Sequence, residues 1–423
     1  MYQKTTLENG VRVLTGTMPH TRSAAILIYY KVGARYEPKE LSGISHYIEH
    51  MLFKGTRKRP TPQQIAEEVE GLGGSLNAMT DREYTAYSAL VPSRHFGLAL
   101  DVLTDMLEHS RFAAAEVKRE RSVIIEEING TLDSPPDIAG ENISELIWGD
   151  HPLGRPTAGT RESVSGITRA QLLGFLKEHY LPQVALVSVA GQVEHEQVVD
   201  AVRATLGRVR DNHPPPDFAP AVSDQTAPRI RIVEKDTEQT HLFIGLPALS
   251  YNDPARYVQQ MLNAILGGVM SSRLFVEIRE KRALAYAIES YSDSLADTGA
   301  IIVYAGVDNS RVESCIQAVM HELDRLRQQP VSDAELRKVQ EYHKGHLLLA
   351  LESSSAVAGW GGRQELLRDR IDSVDDVLAA IDAVTPAQVQ ALAARLFQEE
   401  RLSLSLVGPF KNEDRFLKLL KPA

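Results

Sequence analysis

His46, Glu49 and His50 stand at positions i, i+3 and i+4, and these meet in space only if the segment is helical, where that spacing shares one face. Two neutral imidazoles four residues apart can hold one divalent metal, and zinc is the usual occupant of such a pair. The carboxylate between them can take a proton from a water that the metal polarises. Glu49 should not itself bind the ion, because the site would then lose its base. Two histidines leave the donor set one protein ligand short of a catalytic centre, which keeps a further position for water.

The surrounding residues must supply the helix. Ser42-Gly43-Ile44-Ser45 offers a start, and Ile44, Tyr47, Ile48, Met51 and Leu52 form an apolar stripe, so the two histidines lie at the edge of a packed face. No other His, Cys or Asp shares that helix face, so the missing ligand comes from elsewhere. Residues 116–128 read as a long charged helix with Val117, Val123, Ile124 and Ile128 on one side. Glu120, Glu126 and Glu127 on this segment are all candidates, and spacing alone does not choose among them.

At 423 residues and 43% hydrophobic, the chain has material for two or three ordinary cores. A net charge of −10 argues against nucleic acid as a partner. The single cysteine, Cys315, excludes an intrachain disulfide and makes a thiolate zinc site improbable. The N-terminal residues lack the apolar run of a secretory signal, and no uninterrupted apolar stretch reaches membrane-spanning length. A cytoplasmic protein without membrane association is the expectation.

Proline-dense residues 211–228 mark a linker between near-equal halves. The halves look like copies. Thr385 lies 217 positions after Thr168, and Gly408 lies 217 after Gly191; each Thr should cap a helix and each Gly should end a strand. The expected fold is α+β: two homologous domains, 1–212 and 229–423, joined by the linker 213–228, each a mostly antiparallel sheet covered by helices. The second half carries no counterpart of the histidine pair in residues 257–265.

On these motifs together the chain resembles the insulinase/pitrilysin family of metallopeptidases, in particular its short bacterial branch similar to mitochondrial processing peptidase. His46 to Thr56 resembles the family's core inverted-zincin motif almost throughout. Gly73 to Ala78, with Glu83, Tyr84 and Thr85, resembles the strand that pairs with substrate. Residues 133–137 with Glu141 resemble the acidic segment behind the metal. Leu266 to Phe275 resembles the glycine-rich segment, with Val269 where a third glycine is common. Arg279 and Tyr286 resemble an Arg/Tyr pair that helps hold substrate.

The resemblance implies one Zn²⁺ per chain on His46, His50 and Glu127, since the family's third ligand follows the second histidine by an interval that ends there. It implies Glu49 as base in a zinc endopeptidase acting on peptides or unfolded segments. Glu120, Asp137 and Glu141 are candidates for hydrogen bonds to the ligand rings or for contacts with basic substrate side chains. Asn77 and Ala78 would bind the substrate backbone by strand addition. A chain of this length is half of a family clamshell, so a homodimer enclosing peptide is expected, with Arg279 and Tyr286 reaching the partner's site. The rival expectation is a non-catalytic structural subunit of the same family.

Overall fold

The computed structural model describes residues 2–209, 211, 213–222 and 224–420. Asn212, where the first half was expected to end, and Ser223 of the expected linker lie outside the described residues. Two sheets carry the architecture. The first contains β1 (Tyr2–Thr6), β2 (Arg12–Thr17), β3 (Ser23–Tyr30), β4 (Ser75–Thr80), β5 (Thr85–Pro92) and β6 (Ala185–Gly191), in the order β1-β2-β6-β3-β5-β4. The second contains β7 (Arg229–Glu234), β8 (Gln239–Pro247), β9 (Ala285–Ser294), β10 (Gly299–Asp308) and β11 (Ser403–Gly408), in the order β7-β11-β8-β10-β9. With β1 set aside, the two orders correspond strand for strand.

Their pairing corresponds too. Only β2 with β6, and β7 with β11, run parallel; every other neighbour is antiparallel. β2 and β7 begin 217 residues apart, at Arg12 and Arg229, the offset read from Thr168 and Thr385. Both threonines close capping boxes, Thr168 with Gln171 and Thr385 with Gln388, satisfying amides that a helix start leaves unpaired. The α+β class with two sheets covered by helices is what the structure displays.

The compact units do not follow the linear halves. Unit 1 comprises Met1–Ile128, Pro156–Ala219 and Leu347–Ser373; unit 2 comprises Asn129–Arg155, Pro220–His346 and Val374–Ala423. Each unit thus takes a helix from the other half of the chain. In unit 2 the helix Pro135–Trp148 puts Ala139, Ile143 and Ile147 into one core with Phe243, Ile302 and Val407 of the second sheet. Gly245 allows this approach, since a Cβ there would fall 2.7 Å from Ile147 Cδ1. In unit 1 the helix Ser354–Arg368 lies on β3 and β6. Its Gly362 is demanded by closeness, because a Cβ would sit 2.7 Å from Tyr29 Cε2. The compact units depart from the expected halves, 1–212 and 229–423, by these exchanged segments. An apolar helix stripe dictates that it be buried, but not by which sheet.

Candidate metal centre

Helix α1 (Ile44–Leu52) forms because its apolar positions repeat at helical spacing: Ile44, Tyr47, Ile48, Met51 and Leu52 are all fully buried in the unit 1 core. It starts within the segment 42–45, as the sequence suggests. Gly43 precedes the helix in the left-handed region at φ 91°, where a Cβ would lie 2.4 Å from Ala158 O. The orphan amides are met from outside: the buried Glu37 carboxylate accepts from Gly43 N–H at 2.7 Å and from Ser45 N–H at 2.8 Å.

Helix α2 (Ala114–Asp133) buries Val117, Glu120, Ile124 and Ile128, and the Tyr47 hydroxyl of α1 donates to Val117 O. Val123, expected in the buried stripe, is exposed. Six residues beyond Val117 it has rotated roughly 240° away at 100° per residue. Glu120 and Glu127, seven apart, return to the same side, which faces α1.

The rings of His46 and His50 meet at their Nε2 atoms, 3.1 Å apart. That spacing suits two nitrogens on one ion: at the usual Zn–N length, tetrahedral neighbours stand about 3.3 Å apart. Glu127 Oε2 lies 3.6 Å from His50 Nε2 and 4.0 Å from His46 Nε2. Among the described residues, these three make the group of donors able to hold a metal, all within 4.8 Å of one another. Geometry therefore selects Glu127 from the three glutamates that spacing left open.

Glu120 has a different place. Its buried Oε1 accepts from His50 Nδ1 at 2.9 Å, and Lys54 Nζ reaches Oε2 at 2.8 Å. A proton on Nδ1 leaves His50 Nε2 with its lone pair turned to the candidate metal position. Glu49 points its Oε2 to the Thr80 hydroxyl, 2.6 Å away, at the end of β4.

These surroundings sort the ionisable groups. Burial, reinforced by the neighbouring His50, pushes His46 down to about 4, so its ring is neutral and able to ligate. Burial also works against a charged His50, but the hydrogen bond to Glu120 and the charges of Glu127 and Glu49 outweigh it and raise that ring. Burial lifts Glu49 above the ordinary carboxylate range, partly offset by the Thr80 hydrogen bond. Burial opposes ionisation of Glu120, yet hydrogen bonds from His50 and Lys54 hold it below the usual glutamate value.

β4 is an edge strand, paired on one side with β5. Leu76, Ala78 and Thr80 face inward, while Ser75, Asn77 and Met79 are exposed. Asn77 Oδ1 accepts from Ala78 N–H at 2.9 Å, so this edge amide is satisfied locally and an incoming strand would take that place.

Four predicted site residues belong to unit 2. Asp137 and Glu141 stand one turn apart on the helix Pro135–Trp148, where burial and then Asp137 push Glu141 up to about 7. The Arg279 guanidinium lies 4.7 Å from the Phe275 ring centre and 5.3 Å from that of Tyr286. Tyr286 is 76% exposed at the start of β9, an edge strand of the second sheet. Glu37, Lys54 and Thr80 are participants that sequence reading missed. The alternation from Leu76 through Ala78 points to Thr80 as inward-facing; Glu37 and Lys54 carry no comparable signal.

Residues 12–161 match the family model described as insulinase (peptidase family M16), and residues 166–342 match the one described as peptidase M16 inactive domain. An uncharacterized zinc protease of Streptomyces coelicolor is 40% identical over 417 residues, 97% of this chain and 90% of that protein. The uncharacterized zinc protease YmxG of Bacillus subtilis is 35% identical over 417 residues, covering 97% of this chain and 99% of its own. The crystal structure of a protease from Helicobacter pylori superposes with a TM-score of 0.93 at 23% identity, over 97% of this chain and 99% of that one. A chain of Complex III2 from Candida albicans gives 0.83 at 20% identity, over 99% of each. These two structural likenesses bear on the fold alone.

Proposed function

The chain belongs to the insulinase family, peptidase family M16, and from that membership we propose that it is a zinc-dependent endopeptidase acting on peptides or unfolded segments. One observation carries the reading: His46 Nε2, His50 Nε2 and a Glu127 oxygen converge within 4.8 Å of one another, on helices that also present Glu49 and Glu120. One zinc ion per chain, held by His46, His50 and Glu127, would supply Lewis-acid polarisation of a water and of the scissile carbonyl.

The remaining steps fall to the side chains. Glu49 removes a proton from the attacking water and passes it to the leaving amine nitrogen as the C–N bond breaks. Its burial favours that duty, because a raised affinity for protons makes the carboxylate a stronger base. Glu120 and Lys54 fix the tautomer and orientation of His50. Substrate backbone adds to the open edge of β4 at Asn77 and Ala78, which reads main chain more than side chain.

Arg279 and Tyr286, with their exposed faces, act in this reading on peptide held at the site of a partner subunit in a homodimer that encloses the substrate. Asp137 and Glu141 offer carboxylates to basic substrate side chains. The buried, solitary Cys315 suits a reducing compartment, and we assign the protein to the cytoplasm.

The test is digestion of a mixed peptide library by the purified protein, with and without a chelator, read by mass spectrometry. Cleavage that stops on chelation and returns with zinc is the expected result; no metal-dependent cleavage would sink the reading. Mixing Glu49→Gln chains with Tyr286→Phe chains tests the shared site, since mixed dimers regain activity only if Tyr286 acts in trans.

A further inference from the structure

We infer that Thr80 is the positioning residue for the Glu49 carboxylate and that it ties this candidate base to the strand that takes up substrate. What Glu49 does rests on the peptidase reading; where its carboxylate lies does not. Thr80 Oγ1 stands 2.6 Å from Glu49 Oε2. An ionised carboxylate only accepts, so the hydroxyl is the donor, in a short charge-assisted bond. No other hydrogen bond to that carboxylate is present among the described residues. Without the hydroxyl, the carboxylate is free to swing about its side-chain torsions.

The hydroxyl is itself held firmly. Threonine is β-branched and restricted at χ1. Thr80 pairs with Thr85 across β4 and β5. The turn that follows is clamped to residues 33–35: Ala34 N–H donates to Asp81 O at 3.2 Å and Arg35 N–H to Arg82 O at 2.8 Å. Gly33 is required for that approach, since a Cβ there would lie 2.1 Å from Asp81 O. The buried Arg35–Glu83 pair, at 2.6 Å, closes the same turn.

Thr80 therefore reports the position of β4 to Glu49. A peptide added to the open side of β4 takes its register from the same strand that sets the base, so one rigid element aligns substrate backbone and proton acceptor. This gives the threonine a role that a polar group merely satisfied at a strand end would lack.

The experiment compares zinc-loaded wild type with Thr80→Val, which keeps the shape and removes the donor, and Thr80→Ser, which keeps the donor. Thr80→Val should lower kcat about 10- to 100-fold with KM and zinc stoichiometry unchanged, and Thr80→Ser should stay within about threefold of wild type. Crystal structures should show the Glu49 carboxylate displaced in Thr80→Val and in place in Thr80→Ser. An unmoved Glu49 in Thr80→Val overturns the inference, as does a kcat within about twofold of wild type or an equal loss in Thr80→Ser. A wild type that hydrolyses nothing defeats the peptidase reading alone; the position of Glu49 in Thr80→Val then still decides the role of Thr80.

Discussion

Replacing Glu120 by alanine tests how the candidate metal centre is built. The side chain is 4% exposed and joins two donors, His50 Nδ1 at 2.9 Å and Lys54 Nζ at 2.8 Å. Its loss leaves the His50 Nδ1–H without an acceptor and frees the ring to rotate or to change tautomer, which would put a proton on the very nitrogen that faces Glu127. Removal of such a supporting carboxylate costs about 10- to 100-fold in metal affinity, or roughly 1.4–2.7 kcal/mol. Stability falls as well. Breaking a fully buried pair costs about 3–5 kcal/mol, but Lys54 is 25% exposed and keeps some hydration, so about 1–3 kcal/mol is expected. Competition against a chromogenic chelator measures the affinity, and denaturation of the metal-free protein measures the stability. Glu126→Ala serves as control, because Glu126 lies outside the donor group. If Glu120→Ala binds zinc within about twofold of wild type, the ring-orientation argument is wrong.

Glu49→Gln should bind zinc as wild type does yet lose at least about 100-fold in peptide hydrolysis; turnover at the wild-type rate would remove Glu49 as base. Glu127→Ala should lower zinc affinity far more than Glu126→Ala, as measured by equilibrium dialysis, and the reverse order would show the wrong carboxylate in the donor set. Glu141 supplies a pH dependence. Its folded pKa of about 7 stands above the ordinary value of 4.5, so the folded state holds the proton more tightly and stability falls as pH rises between those values. Urea unfolding should show wild type losing on the order of 1–3 kcal/mol between pH 5 and pH 8, a loss absent in Glu141→Gln. Identical pH profiles for the two proteins would refute it.

Local chemistry was largely legible before any coordinates. The interval between His46 and His50 implies a helix, the five apolar residues around them imply which side is buried, and both follow from 3.6-residue periodicity. The paired cap threonines at 168 and 385 likewise report a duplication, because capping is decided by a side chain and an amide three residues on. Glu37 was invisible for the opposite reason. It caps α1 from a separate turn, and only the folded path of the chain brings it to those amides.

What residue order determined by itself is therefore the set of short-range facts: the inverted histidine motif, the helices that carry it, and two copies of one strand plan. Tertiary structure decided three things that spacing left open, the first of them already implied by the family resemblance. It selected Glu127 over Glu120 and Glu126 as third donor, it gave Glu120 to His50 and Lys54, and it lodged each half's helix on the other half's sheet. The physical reason is common to all three. Charge, hydrophobicity and helical phase state what a side chain needs, a ligand, a counter-ion or cover from water, whereas the partner that meets the need is settled only when distant segments are packed together.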